Sequence, residues 1–182
     1  MSEVIHEKPC LFSDNRILVL QGLEVLAEIS PEVFTTVDAR SLGGSIGGHV
    51  RHTIEFYRCF LEGMKTGLLD YDARARELLL ERDPAAACAA LRATAVMLEE
   101  ATAHDEHERL LLVVENHGGS EPEWSRSSVG RELRFLLSHT LHHYALIAIL
   151  LRVRGMETPE EFGFAPSTLR HRARISSAPC AR

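Results

Sequence analysis

The strongest periodic pattern of hydrophobic and polar positions lies between Gly130 and Gly155, a stretch with no proline and no glycine inside it. Apolar side chains recur there every three or four residues, which is the spacing of one face of an α-helix. Ser127 or Ser128 can cap the first turn, and Gly155 suits a left-handed residue just beyond the last turn. The pattern therefore predicts one long helix at this position.

Three further helices are predicted upstream by the same spacing. Each begins at a serine or an aspartate, whose side chain can accept a hydrogen bond from the first helical turn. Their expected bounds are Ser13 or Asp14 to Pro31, Ser45 to Glu62, and Asp83 to Ala101. On the second of these helices, a charged row is expected to face solvent, and it consists of Arg51, Glu55, Arg58 and Glu62.

The segment between the third and fourth helices fits two structures. Residues from Arg109 to Glu115 are apolar and β-branched towards their end, which is typical either of a strand that opens a hairpin or of the last turns of a helix. The whole pattern predicts an all-α fold, an antiparallel four-helix bundle with a small β-hairpin or an extended segment before the last long helix. We expect one domain over residues 1–165 and a polar, disordered C-terminal tail over residues 166–182.

Composition and charge exclude several classes of partner. With 20 Lys and Arg against 26 Asp and Glu, the 182-residue chain has a formal net charge of −6 and lacks the basic face that nucleic acid requires. The longest apolar run, Tyr144 to Leu151, is far shorter than the roughly 20 residues of a membrane span. The four cysteines form no CxxC pair and no signal peptide is recognisable, so we expect a cytoplasmic protein that binds neither nucleic acid nor a membrane.

Histidines supply the most informative chemistry in the chain. His139 and His143 stand four residues apart on the inward stripe of the long helix, where they can bind one ion from the same side. A third imidazole from the second helix, either His52 or His49, would complete a three-nitrogen set and leave positions open for water or substrate. The spare histidines, His49 and His142, would then orient the ligands or move protons.

Other interpretations of the same residues have less support. Buried histidines often serve only as hydrogen-bonded core residues, so a metal-free helical protein is an alternative to a metal site. The glycines between residues 43 and 48 could bind phosphate, but no strand precedes them and no Gly-Lys-Ser/Thr follows. A di-iron centre needs Glu-x-x-His pairs on two helices, whereas only Glu132 lies on the inward stripe. We expect core packing for Tyr57 and Tyr144 and solvent exposure for His104 and His107.

Two segments resemble the DinB-like (DNA-damage-inducible, YfiT-like) superfamily. Residues 45–52, SIGGHVRH, are similar to the start of the second helix of that family, whose motif ends in a ligand histidine. Residues 138–143, SHTLHH, are similar to the later helix that carries an HxxxH pair. The resemblance implies a four-helix bundle, often dimeric, that binds one divalent metal, often zinc or nickel, through His52, His139 and His143.

The resemblance also implies an activity. Characterised relatives are transferases and isomerases that use low-molecular-weight thiols, so we expect a metal-dependent transferase using such a thiol, or a hydrolase, that acts on a small molecule. The alternative is a non-catalytic helical module that binds a metal or a small ligand. Many relatives follow the last ligand with Arg-Gly-Gln, whereas His143 is followed here by Tyr144, which removes polar neighbours that some reactions need.

Overall fold

A computed structural model describes residues 10–37, 44–102, 106–115 and 122–177 of the chain. This part of the chain is mainly helical and carries one small three-stranded sheet. In chain order, its elements are α1 (Leu11–Ala27), α2 (Pro31–Thr35), α3 (Ile46–Thr66), β1 (Leu68–Leu69), α4 (Leu78–Arg82), α5 (Pro84–Thr102), β2 (Leu110–Glu115), β3 (Glu123–Ser128), α6 (Val129–Val153) and α7 (Pro166–Ser177). The predicted mainly helical fold is confirmed, whereas the sheet corrects the expectation of an all-α class.

The long helices begin and end close to their predicted limits. Ser45 caps α3 by accepting a hydrogen bond from the Gly48 amide at 2.9 Å, and Ser128 caps α6 in the same way. Gly67, in the left-handed conformation at φ 80°, ends α3 about one turn beyond the predicted limit. α1 has no side-chain cap and begins at Leu11, slightly earlier than its sequence predicts.

A buried hydrogen-bond network fixes α1, α3 and α6 relative to one another. Asn15 of α1 donates to the carbonyl of Leu133 in α6 at 3.0 Å and to that of Leu11 at 2.8 Å. Tyr57 of α3 donates to Asn15 Oδ1 at 2.8 Å and accepts a hydrogen bond from Thr140 of α6 at 3.2 Å. Because Asn15 and Tyr57 are both 0% exposed, this network sets the position of α3 against α6, and Tyr57 is a core residue as expected.

The sheet leads directly into α6. β2 pairs antiparallel with β3 from the Leu110–Ser128 pair onwards, so the ambiguous segment before the last helix is a strand of a hairpin. β1 pairs in parallel with the other side of β2 and was not predicted, because two residues carry no periodic signal. Since Ser128 both ends β3 and caps α6, the hairpin determines where α6 begins.

α4 and the segment before it cover one side of α3. The charged row of α3 was expected to face solvent, and Arg58 and Glu62 do so. Glu55 is instead buried, at 3% exposure, and accepts a hydrogen bond from the Glu77 amide at 2.7 Å. The prediction for Glu55 was wrong because helical spacing identifies a polar face but not the chain segment that folds over it.

α7 corrects the expectation of a disordered tail over residues 166–182. Pro166–Ser177 is helical, and Arg170 binds both carboxylate oxygens of Asp14 in α1, at 2.6 and 3.2 Å. A guanidinium–carboxylate pair between distant segments leaves no periodic trace in a sequence, so the polar composition alone was misleading. Residues 178–182 lie outside the described part of the chain.

One helix in the described ranges, α6, is long and apolar enough to cross a membrane by length and composition alone. The core helices of globular proteins pass the same test, and α6 packs here against α1 and α3. This single criterion is therefore weak evidence of a membrane span, and the expectation of no membrane partner stays a prediction.

Candidate metal centre

Three imidazoles from two helices converge at one point. His52 lies in α3, and His139 and His143 lie one turn apart in α6. His139 Nε2 is 3.0 Å from His52 Nε2 and 2.8 Å from His143 Nε2, and the ligand nitrogens of all three residues lie within 4.8 Å of one another. Within the ranges that the structure describes, no other set of three histidine, cysteine or acidic side chains converges in this way.

The packing of α3 against α6 explains why these side chains meet. His139 and His143 are four residues apart and therefore share one face of α6. The hydrogen bond from Thr140 to α3 holds the adjacent turn of α6 against that helix. Spacing alone left the third ligand open between His52 and His49, and the geometry brings His52 into the cluster.

The separations of the nitrogen atoms suit a divalent ion of the first transition row. An ion about 2.0–2.1 Å from two nitrogens separates them by about 2.9 Å at a right angle and about 3.4 Å at the tetrahedral angle. The observed 2.8 and 3.0 Å lie on either side of the right-angle value and below the tetrahedral one. Without a metal, the two contacts of His139 Nε2 must share a single proton or a single lone pair. The donor set therefore fits one ion held by three neutral nitrogens.

His49 contacts the far side of the His143 ring. The Nδ1 atoms of the two imidazoles are 3.0 Å apart. A histidine that offers its Nε2 lone pair to a metal carries its proton on Nδ1, so His143 can donate that proton to His49 Nδ1 in a hydrogen bond. Such a bond fixes the tautomer and the orientation of the His143 ring. His49 is thus in the place that an orienting residue requires.

His142, the other spare histidine, is exposed to solvent. Its ring stands edge-on to that of His143, with the ring centroids 5.2 Å apart. An exposed imidazole beside a ligand can exchange protons with bulk water, and the proton-shuttle role of His142 stays a prediction.

The environment of the cluster favours neutral imidazoles. Burial is the largest cause, and with neighbouring imidazoles it lowers the pKa of His52 from 6.5 to about 4 and that of His143 to about 3. Burial also lowers the pKa of His139 and of His49, with a smaller contribution from His142 in each case. Neutral imidazole is the form that binds metals, so protons compete little for this site near neutral pH.

These pKa shifts predict that mild acid destabilises the metal-free protein. As the pH falls from 6.5 towards 4, His52 and His143 bind protons in the unfolded chain before they do so in the folded one. The free energy of unfolding should therefore decrease as the pH falls from about 6.5 to about 4. Urea unfolding measures this slope, which we expect to be much smaller after His52→Gln with His143→Gln. His171→Gln, at an exposed position of α7, is the control, and equal slopes in wild type and the double variant would refute the assignment.

Aromatic side chains line one side of the cluster. The ring centroid of Phe56 lies 4.5 Å from that of His52 and 4.2 Å from that of His139. Phe135 lies 5.3 Å from His139, and Tyr71 stacks on Phe56 at 4.9 Å. None of these aromatic residues was predicted to belong to the site. Both phenylalanines stand one helical turn from a clustered histidine, so the spacing that found the histidines could have found them too.

Glu132, which lies next to Tyr71, is a fully buried carboxylate. It accepts hydrogen bonds from Tyr71 Oη at 2.9 Å, from the Ser127 hydroxyl, and from Arg131 at 2.8 Å. These donors occupy both carboxylate oxygens, and Glu132 does not belong to the histidine cluster. Glu132 therefore anchors the segment around Tyr71 and gives no support to a di-iron centre.

The remaining residues that the sequence singled out lie elsewhere. Tyr144 is a buried core residue, as expected, and stacks on Phe162 with ring centroids 4.7 Å apart. His107 was expected to be exposed but is half-buried, because the turn before β2 lies against α1 and brings its ring 5.6 Å from that of Phe12. His104 falls outside the described residues.

The glycine-rich stretch has a packing explanation at Gly47. A Cβ atom at this position would collide with the main-chain carbonyl of Glu81, so glycine is what allows α4 to approach the first turn of α3. Gly43 lies outside the described residues. The close approach of α4 accounts for Gly47 without any bound phosphate.

Fold and cluster together define a mainly helical protein with a candidate three-histidine metal site. No family model matches the chain, and no solved structure matches it. Over 105 residues, or 57% of its length, the chain is 33% identical to FK506-binding protein 5 of the fungus Rhizopus delemar. The match spans only 27% of that protein, which is too small a share to assign the chain to its family.

Proposed function

We propose that the protein is a member of the DinB-like superfamily, in which α1, α3, α5 and α6 form an antiparallel four-helix bundle around one divalent ion. The ligands are His52, His139 and His143, and the ion is zinc or nickel. The observation that carries the proposal is the convergence of three Nε2 atoms from two helices, with His139 in contact with both of the others. The two segments that resemble the motifs of the family, 45–52 and 138–143, contain these three residues.

The proposed activity is that of a metal-dependent transferase using a low-molecular-weight thiol, or of a hydrolase, acting on a small molecule. A divalent ion with three histidine ligands supplies Lewis acidity and lowers the pKa of a bound thiol or water. The chain contributes two functions around it. His49 holds the His143 ring in its orientation, and the exposed His142 carries protons between the site and solvent.

A non-catalytic module that binds a metal or a small ligand is the second candidate. One observation favours it: Tyr144, which follows the last ligand, is buried in the core and provides no polar group beside the site. Many DinB-like relatives carry Arg-Gly-Gln from this position. In both candidates we place the protein in the cytoplasm as a homodimer, without a nucleic-acid or membrane partner.

Metal content and turnover together test the proposal. Protein purified without a histidine tag, loaded with zinc or nickel and freed of excess metal, should retain one ion per chain in elemental analysis. The loaded protein is then assayed with thiols and with ester and amide substrates, and turnover should be lost in His143→Ala. One ion per chain without turnover would favour the binding module, whereas no retained metal would refute the metal site and leave only a module that binds a small ligand.

A further inference from the structure

A guanidinium group lies beside Phe56, one of the aromatic residues that line the histidine cluster. Arg74, in the segment between β1 and α4, places its Cζ atom 4.5 Å from the centroid of the Phe56 ring. That same ring packs directly on His52 and His139. The Phe56 ring therefore lies between Arg74 and the candidate metal ligands.

The segment that carries Arg74 is fixed at both ends by buried carboxylates. Near its start, Tyr71 donates to Glu132 at 2.9 Å, and that carboxylate is 0% exposed. At its end, the Glu77 amide donates to Glu55 at 2.7 Å, and that carboxylate is 3% exposed. Buried carboxylates with well-placed donors hold a segment firmly, because leaving either group unpaired is costly. The position of Arg74 is thus built into the fold.

Two arginines of α3 bind carboxylates in α4 or directly before it. Arg51 binds Glu81 at 2.6 Å, and Arg58 binds Glu77 at 2.8 Å. Arg74, by contrast, makes no ion pair with any carboxylate in the described part of the chain. Its Cζ atom lies over the Phe56 ring, and a guanidinium in such a cation–π contact can still donate its N–H groups to a planar anion.

We propose that Arg74 binds a carboxylate group of the substrate, and that the substrate is a small carboxylic acid whose other end reaches the three histidines. This inference rests on the proposed function. Three neutral imidazoles leave the charge of a divalent ion uncompensated, so the ion and Arg74 together favour a ligand with two anionic or polar ends.

Matched hydroxamates test the proposal by calorimetric titration of the metal-loaded protein. Glutarate monohydroxamate and pentanohydroxamate share one metal-binding group and a similar carbon chain, but only the first carries a terminal carboxylate. We expect wild type to bind the carboxylate probe about 10–100-fold more tightly, as a charge-assisted bidentate pair allows. Arg74→Gln should remove this preference and leave the affinity for pentanohydroxamate unchanged.

Two further variants keep the outcome interpretable. Arg58→Gln removes a nearby cation that is already paired with Glu77, and it should keep the wild-type preference. Arg74→Lys keeps the charge without the planar fork and should retain only part of the preference, which serves as the readout if Arg74→Gln does not fold. Equal affinity of wild type for the two probes, or a full preference in both Arg74 variants, would overturn the proposal. Protein that retains no metal in elemental analysis would instead overturn the proposed function, and with it this inference.

Discussion

Replacing His143 with alanine should weaken the binding of zinc or nickel by at least about 100-fold, which is more than the loss of an orienting partner usually costs. The Nε2 atom of His143 lies 2.8 Å from that of His139, so its removal leaves an ion with two protein ligands from this cluster. The protein should nevertheless fold, because His143 is only half-buried. Competition with a chromogenic chelator at neutral pH measures the affinity.

Two neighbouring histidines provide controls for this experiment. His142→Ala removes an exposed imidazole next in sequence to His143 and should bind metal like wild type. His49→Ala removes the contact with His143 Nδ1 and should weaken binding by about 10–100-fold. If His142→Ala weakens binding as much as His143→Ala, or if neither does, the assignment of the ligands is wrong.

Replacing Asn15 with alanine should destabilise the protein by about 2–4 kcal/mol. The change leaves the Tyr57 hydroxyl without its acceptor and the Leu133 carbonyl without its side-chain donor, and it opens a cavity where all groups are buried. Because the same network positions α3 against α6, metal affinity should fall as well. Urea unfolding measures the free energy, and chelator competition measures the affinity.

Thr35→Ala is the matched control for Asn15→Ala. Thr35 also donates to a main-chain carbonyl, that of Pro31 at 2.9 Å, but it lies on the surface in α2. We expect an effect within about 0.5 kcal/mol and unchanged metal affinity. A loss below about 1 kcal/mol for Asn15→Ala would show that the network does not hold the helices together.

Most of the features that could be predicted from the sequence were predicted from helical spacing. It placed the long helices within about a turn, because amphipathic helices bury one regular stripe. It also brought His139 and His143 to one face of α6, and the resemblance to the DinB-like motifs selected His52 over His49. The contact between α3 and α6 that unites these residues depends on tertiary packing, for which periodicity gives no signal.

Helical spacing could not predict the irregular segments, or the contacts that depend on residues far away in the sequence. Arg74 and Tyr71 belong to a segment between β1 and α4 that has no periodic pattern, so their position beside the cluster is visible only in the structure. Glu55 looked like a solvent-facing residue because nothing in its own helix reveals the segment above it. Likewise, α7 depends on the pairing of Arg170 with Asp14, which are far apart in sequence.

The most direct test of the metal centre is a crystal structure of the zinc- or nickel-loaded protein with anomalous data at the absorption edge of the metal. The proposed metal site predicts one strong anomalous peak, within coordinating distance of the Nε2 atoms of His52, His139 and His143. A peak at some other site, or loaded crystals in which the three imidazoles surround no peak, would contradict it.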